Sequence, residues 1–152
     1  MNFPVGEVIS KAYLPINLEV IIPELKKINF NGYLIQTIKG ECIEEGVLFF
    51  RDGEINAVIV ECLNAKKTFK GNEAIPYFLN QTKGNGFFQT ISLTRSQVDL
   101  VTAFDEKLLV TNKIALKDLP KLIPVKFEDK FKLLSQESNV LDKYGLSGLK
   151  KS

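Results

Sequence analysis

The sequence predicts an α+β domain: an antiparallel sheet of about four to five strands with helices packed on it, followed by an irregular, partly helical C-terminal extension. Two runs rich in Val, Ile and Phe, 46–51 and 54–63, flank Asp52-Gly53, a pair that favours a two-residue type I′ hairpin because both positions tolerate positive φ. Both faces of that ribbon are mostly apolar. Each must therefore be covered, by helices on both sides or by helices on one side and a second subunit on the other. Apolar stripes at helical spacing recur before and after the hairpin, punctuated by Gly- and Asn-containing turns. These signals place the α+β domain at 1–110 and the extension at 111–152.

Residues 1–16 read as an extended lead-in, in which Val5, Val8 and Ile9 add an edge strand bracketed by Pro4 and Pro15. Asn17 is the N-cap of a helix over 18–28, with Leu18, Ile21, Ile22, Leu25 and Ile28 as its apolar stripe and Pro23 straining its first turn. Phe30-Asn31-Gly32 closes that helix, Gly32 supplying a left-handed turn, and 33–38 forms the first strong strand.

In the hairpin, a two-residue loop opposes Phe50 to Ile55. It groups Leu48, Phe50, Ile55, Ala57 and Ile59 on one face and Val47, Phe49, Asn56, Val58 and Val60 on the other. Carried outward, this register opposes Glu44 to Glu61, a like-charge pair that costs stability, and sends Cys42 and Cys62 to opposite faces. A bulge near Gly46 relieves the clash and sets the two thiols facing each other. Both registers stay open. A disulfide is the less favoured outcome, because cytosolic chains usually keep thiols reduced.

Residues 64–71 read as a polar loop, and 72–83 as a second helix with Ala74, Ile75, Phe78 and Leu79 inward and Pro76 in the first turn. Gly84-Asn85-Gly86 turns the chain into a strand over 87–93, with Phe87, Gln89, Ile91 and Leu93 on one side. Thr94-Arg95-Ser96-Gln97 fits a capping box. It opens a third helix from about 95 to 110, with Val98, Val101, Phe104, Leu108 and Leu109 toward the core. Arg95 and Asp99 stand i, i+4 on its wet side as a weak ion pair. Beyond Thr111, 113–119 reads as a short helix or an added strand. Phe131, Leu133, Leu134, Val140, Leu141 and Tyr144 suit one more amphipathic helix, and 145–152 frays.

Composition narrows the chemistry. The 152 residues carry 20 Lys and Arg against 18 acidic residues, no His and two Cys. A net charge of +2 gives no general case for nucleic acid. Without His, Ser-His-Asp and Cys-His catalysis and His-based metal sites cannot be built within one chain. No cofactor is expected, since no glycine-rich phosphate-binding signature occurs. No apolar run reaches the roughly 20 residues that span a bilayer, and the start lacks a basic, then long apolar, leader. A cytoplasmic protein is expected.

Three groups of residues are candidates for chemistry. Lys66, Lys67 and Lys70 lie close together ahead of a helix N-terminus and would suit an anion or an acidic partner, although a solvated loop explains them as well. Glu41, Glu44 and Glu45 with the thiols of Cys42 and Cys62 would serve a carboxylate- or thiol-based enzyme, the least favoured class. Lys121, Lys126, Lys130 and Lys132, with Phe69, Phe127 and Phe131, would extend a basic surface toward single-stranded nucleic acid.

One ordered set of motifs resembles a known family. Gly32-Tyr33-Leu34, Gly46-Val47-Leu48-Phe49-Phe50, Asp52-Gly53, Ile55, Ala57, Ala74-Ile75 and Gly86-Phe87-Phe88 together resemble the PatA amino-terminal-like (PATAN) domain and a set of uncharacterised archaeal proteins of similar plan. The resemblance covers about residues 14–104. The plan is also similar to roadblock and longin-like modules, in which a helix-bearing sheet pairs with another copy. What the resemblance implies is an adaptor module without catalytic residues, of the kind found beside response regulators, ATPases or small GTPases. This chain departs from it by carrying no attached receiver or ATPase. The expectation is thus a non-catalytic adaptor that binds another protein chain or a second copy of itself, with anion or nucleic-acid binding as the alternative.

Overall fold

Asp52 and Gly53 both adopt positive φ, 51° and 80°. The type I′ turn therefore forms, and β3 (Ile43–Arg51) returns as β4 (Glu54–Cys62). The computed structural model describes residues 3–111, and the expectations for the extension past Thr111 lie outside the described residues. β2 (Gly32–Lys39) pairs with β3 on one side and with β6 (Gly86–Ser92) on the other. The edge strands are β1 (Glu7–Tyr13), beside β6, and β5 (Lys67–Lys70), beside β4. The result is a six-stranded antiparallel sheet in the order β1-β6-β2-β3-β4-β5.

Six strands exceed the four to five expected because 67–70, read as a loop, adds to β4. Phe69 explains the difference: it is buried and stacks on Tyr77 with ring centroids 4.1 Å apart. That anchor draws a lysine-rich segment onto the sheet edge. The lysines then serve the edge itself, since charged side chains discourage a strand from pairing with another chain.

Helices cover both faces, the first of the two expected solutions. On one face α1 (Leu18–Lys27) and α2 (Ile75–Gln81) bury Leu18, Leu25, Ile75 and Phe78 against Leu34, Leu48, Phe50, Val58 and Val60. On the other, α3 (Arg95–Phe104) and the 3₁₀ turn Glu106–Leu108 bury Val98, Val101 and Leu108 against Val47, Phe49, Ala57 and Ile59. Asn17 caps α1 as expected, its side chain accepting from the Glu19 N–H at 3.0 Å, and Pro23 sits inside the helix. Asn29 (φ 50°) makes the left-handed exit assigned to Gly32. Gly32 begins β2 at φ 147°, where a Cβ would collide with the Ile91 carbonyl. The second helix starts later than expected, behind a 3₁₀ turn at Gly71–Ala74.

The hairpin register differs from both expected forms. Phe50 opposes Ile55, but Phe49 opposes Ala57, so Asn56 is an extra residue on β4. The bulge lies beside the turn and not near Gly46. It swaps the faces of β4 beyond it: Ala57 and Ile59 join Val47 and Phe49, while Val58 and Val60 join Leu48 and Phe50. The Asn56 carbonyl accepts from the Val110 N–H at 3.0 Å, which holds the chain after α3 against this end of β4.

The same shift decides the cysteines. Cys62 opposes Glu44, which puts Cys42 one diagonal step away on the same face. The two are joined by a disulfide with Cα atoms 6.4 Å apart, within the usual span. The expectation of two free thiols is overturned, because the shift restores the common face that the unbulged register denied them.

Candidate interaction surface

Local sequence fixes the ends of α3. Thr94 accepts from the Gln97 N–H at 3.1 Å and the Gln97 side chain accepts from the Thr94 N–H at 2.9 Å, completing the capping box. Arg95 and Asp99 do not pair with each other. Asp99 takes the Arg51 guanidinium, Nε to Oδ1 at 2.6 Å, and Arg95 reaches Asp52 at 3.3 Å. Both charges of the helix are thereby tied to the β3–β4 turn. The Arg51 hydrogen bond holds the Asp99 carboxyl below its ordinary pKa.

The helix stops at Phe104. Asp105 ends it, accepting from the Lys107 N–H at 3.2 Å and from Lys70 Nζ at 2.6 Å. Leu108 then fills the core. Phe104, expected inside, is 83% exposed, because it closes α3 on the flank of Leu100, away from the buried Val98 and Val101.

Leu100 and Phe104, one turn apart, flank a groove of about 400 Å³ with Phe3, Pro4, Ile59, Val101, Asp105 and Leu108. The outward flank of α3 consists of Ser96, Leu100, Ala103 and Phe104, all exposed and none charged. Sequence reasoning missed this surface. The available signal was that Arg95 and Asp99 are the only charged residues of the helix.

The three lysines do not converge on a site. Lys70 is bound to Asp105, Lys66 occupies a left-handed turn position, and Lys67 lies on the edge strand opposite Cys62. Phe69 is buried on Tyr77 and offers no free face for a base. The tail residues Lys121, Lys126, Lys130, Lys132, Phe127 and Phe131 lie outside the described residues.

The acidic candidates separate as well. Glu44 is buried on the α2 side, where Gln81 Nε2 donates to it at 3.4 Å. Gln36 Nε2 in turn donates to Gln81 Oε1 at 3.2 Å and to the Phe78 carbonyl at 3.0 Å. Glu45 is on the opposite face, across from Glu61, and Glu41 is exposed. Burial, with Glu61 adding to it, raises the pKa of Glu45, and burial followed by the Glu45 charge raises that of Tyr33. Cys42 and Cys62 are bonded to each other and present no thiolate. Among the described residues no cluster of three or more His, Cys, Asp and Glu could hold a metal, and no helix is long and apolar enough to cross a membrane.

Residues 1–104 match a family described as an uncharacterised protein conserved in archaea (DUF2226). The match spans more than half of the chain, and the chain belongs to that family. No curated protein and no solved structure matches it. Of the resemblance drawn from the sequence, the part concerning uncharacterised archaeal proteins stands.

Proposed function

We propose that this archaeal-family chain is a non-catalytic protein–protein interaction module of the cytoplasm, with the outer flank of α3 as its contact surface. The observation that carries the reading is an exposed, uncharged helix flank in which Leu100 and Phe104 overhang an apolar groove. Interface centres are depleted of charge and enriched in aromatic residues. The resemblance to PATAN domains supports the same reading, since those domains are similar to adaptors. The Cys42–Cys62 bond is compatible with an intracellular setting, because hyperthermophilic archaea form disulfides inside the cell. Anion or nucleic-acid binding draws less support, since Lys70 and Phe69 are engaged within the fold.

The test is co-purification from the source cells followed by mass spectrometry, comparing wild type with Leu100→Asp/Phe104→Asp. The expected result is a specific partner held by the wild type and lost from the double variant. A partner retained by that variant, or none in either sample, refutes the reading.

A further inference from the structure

We infer that two copies of this chain pair about a two-fold axis through the α3 face of the sheet, the α3 ridge of each copy lying on the bare β1–β6 strip of the other. The inference rests on the reading of the α3 flank as a contact surface and names a second copy as its partner.

Strand register defines the strip. Tyr13 opposes Phe87, Phe87 opposes Thr37, and Thr37 opposes Glu45. Side chains in line across a sheet share a face, and so do positions two apart along a strand. Tyr13 and Phe87 therefore lie on the face of Val47 and Phe49, against which α3 buries Val98 and Val101. The same pairing aligns Lys11, Gln89, Ile35 and Val47. The cover does not reach the outer strands at this end. All seven residues of β1 are exposed. Tyr13 and Phe87 are each at least half exposed, with their rings in contact at a centroid distance of 5.3 Å.

The ridge stands on the same face. Leu100 and Phe104 project from α3, each at least half exposed and with no charged residue on their flank. On the strip, Lys11 is the sole charge that β1 and β6 present to this face. Low charge with prominent aromatic residues is the composition of an interface centre.

One chain thus carries both a protruding ridge and a flat apolar strip, side by side. A two-fold rotation sets each ridge on the other copy's strip and covers all four surfaces at once, as an isologous contact requires. An unrelated partner would have to supply mates for both. The area sets the strength. β1 with the facing parts of β6 and β2 offers roughly 250 Å² of flat surface from the strand spacing and rise, and the flank of a ten-residue helix adds about 150 Å². Two copies together hide roughly 800 Å² of flat surface, the range of weak, reversible association and below that of an obligate dimer.

Sedimentation velocity on the full chain tests this, with Phe104→Asp on the ridge, Tyr13→Asp on the strip, and an equimolar mixture of the two. The wild type should pass from monomer toward dimer mass between about 5 μM and 1 mM. Each variant alone should weaken pairing at least tenfold. The mixture should pair more tightly than either variant, because a mixed dimer keeps one undamaged ridge-on-strip contact. Leu100→Ser and Tyr13→Ser repeat the comparison with milder changes if an Asp variant melts early. A wild type that stays monomeric at 1 mM overturns the inference. So does a dimer indifferent to either variant, or a mixture no tighter than its components. Self-association without any captured partner upholds this inference while refuting the adaptor reading. Capture of a partner by a chain that stays monomeric does the reverse.

Discussion

Glu45 stands directly opposite Glu61 in the β3–β4 ribbon, and burial together with that neighbour raises its pKa above the ordinary carboxylate value. A carboxyl raised in the folded state holds its proton more tightly folded than unfolded. Its contribution to stability is therefore greatest when protonated and falls as pH climbs from the unfolded pKa through the folded one. Glu45→Gln is expected to gain roughly 0.5 kcal/mol at pH 7 and nothing at pH 3, measured by urea denaturation at both. Equal changes at the two pH values would contradict this account. Asp99 and Asp105, lowered chiefly by their hydrogen bonds to Arg51 and Lys70, act in the opposite sense: the stability they contribute disappears as pH falls through their depressed values.

The disulfide closes a loop with a sequence separation of 20, for which chain-entropy arguments give about 3 kcal/mol. Cys42→Ser/Cys62→Ser, or reduction of the wild type, should lower the denaturation midpoint by a corresponding amount. An unchanged midpoint would show that the sheet does not depend on the cross-link.

Gly46 lies under α2, where an added Cβ would collide with Gln81 Oε1 and come within 3.0 Å of Phe78. Gly46→Val is expected to cost about 1–3 kcal/mol by overpacking and to disturb the hydrogen bond between Gln81 and Glu44. Thermal unfolding reads the first effect, and side-chain amide resonances in NMR read the second.

Phe104 and Val98 share a helix but differ in exposure, 83% against 0%. Phe104→Asp should change stability by no more than about 0.5 kcal/mol, whereas Val98→Ala should cost about 2 kcal/mol. Similar losses for both would contradict the exposure of Phe104.

Charge reversal separates the lysines. Lys66→Glu/Lys67→Glu should leave the melting temperature and partner capture unchanged, because neither side chain anchors the fold. Lys70→Glu should lower the melting temperature, because it sets a second carboxylate beside Asp105. Binding of mixed oligonucleotides at low salt, lost on reversal of Lys66 and Lys67, would restore the anion reading.

The legible parts of the molecule were those with a local physical cause. Asp52-Gly53 encodes its turn by tolerance of positive φ, Asn17 and Thr94 encode helix starts by offering a side-chain acceptor, and Pro76 marks a first turn. The interaction surface was not legible. It depends on which side of α3 meets the sheet, and that is decided by Val98 and Val101 packing with Val47, Phe49, Ala57 and Ile59 from strands distant in the chain.

Taken alone, the sequence determined an antiparallel α+β scaffold with apolar material on both faces of its central ribbon, because alternation and helical spacing are properties of neighbouring residues. The tertiary structure alone decided the bulge at Asn56, the bonding of Cys42 to Cys62, the recruitment of 67–70 as a sixth strand, and the exposure of Phe104. Each of these depends on contacts between distant segments: Val110 on Asn56, Phe69 on Tyr77, Lys70 on Asp105. A one-residue shift in pairing moves every later side chain to the other face, and only the packed partners on each face select which shift is taken.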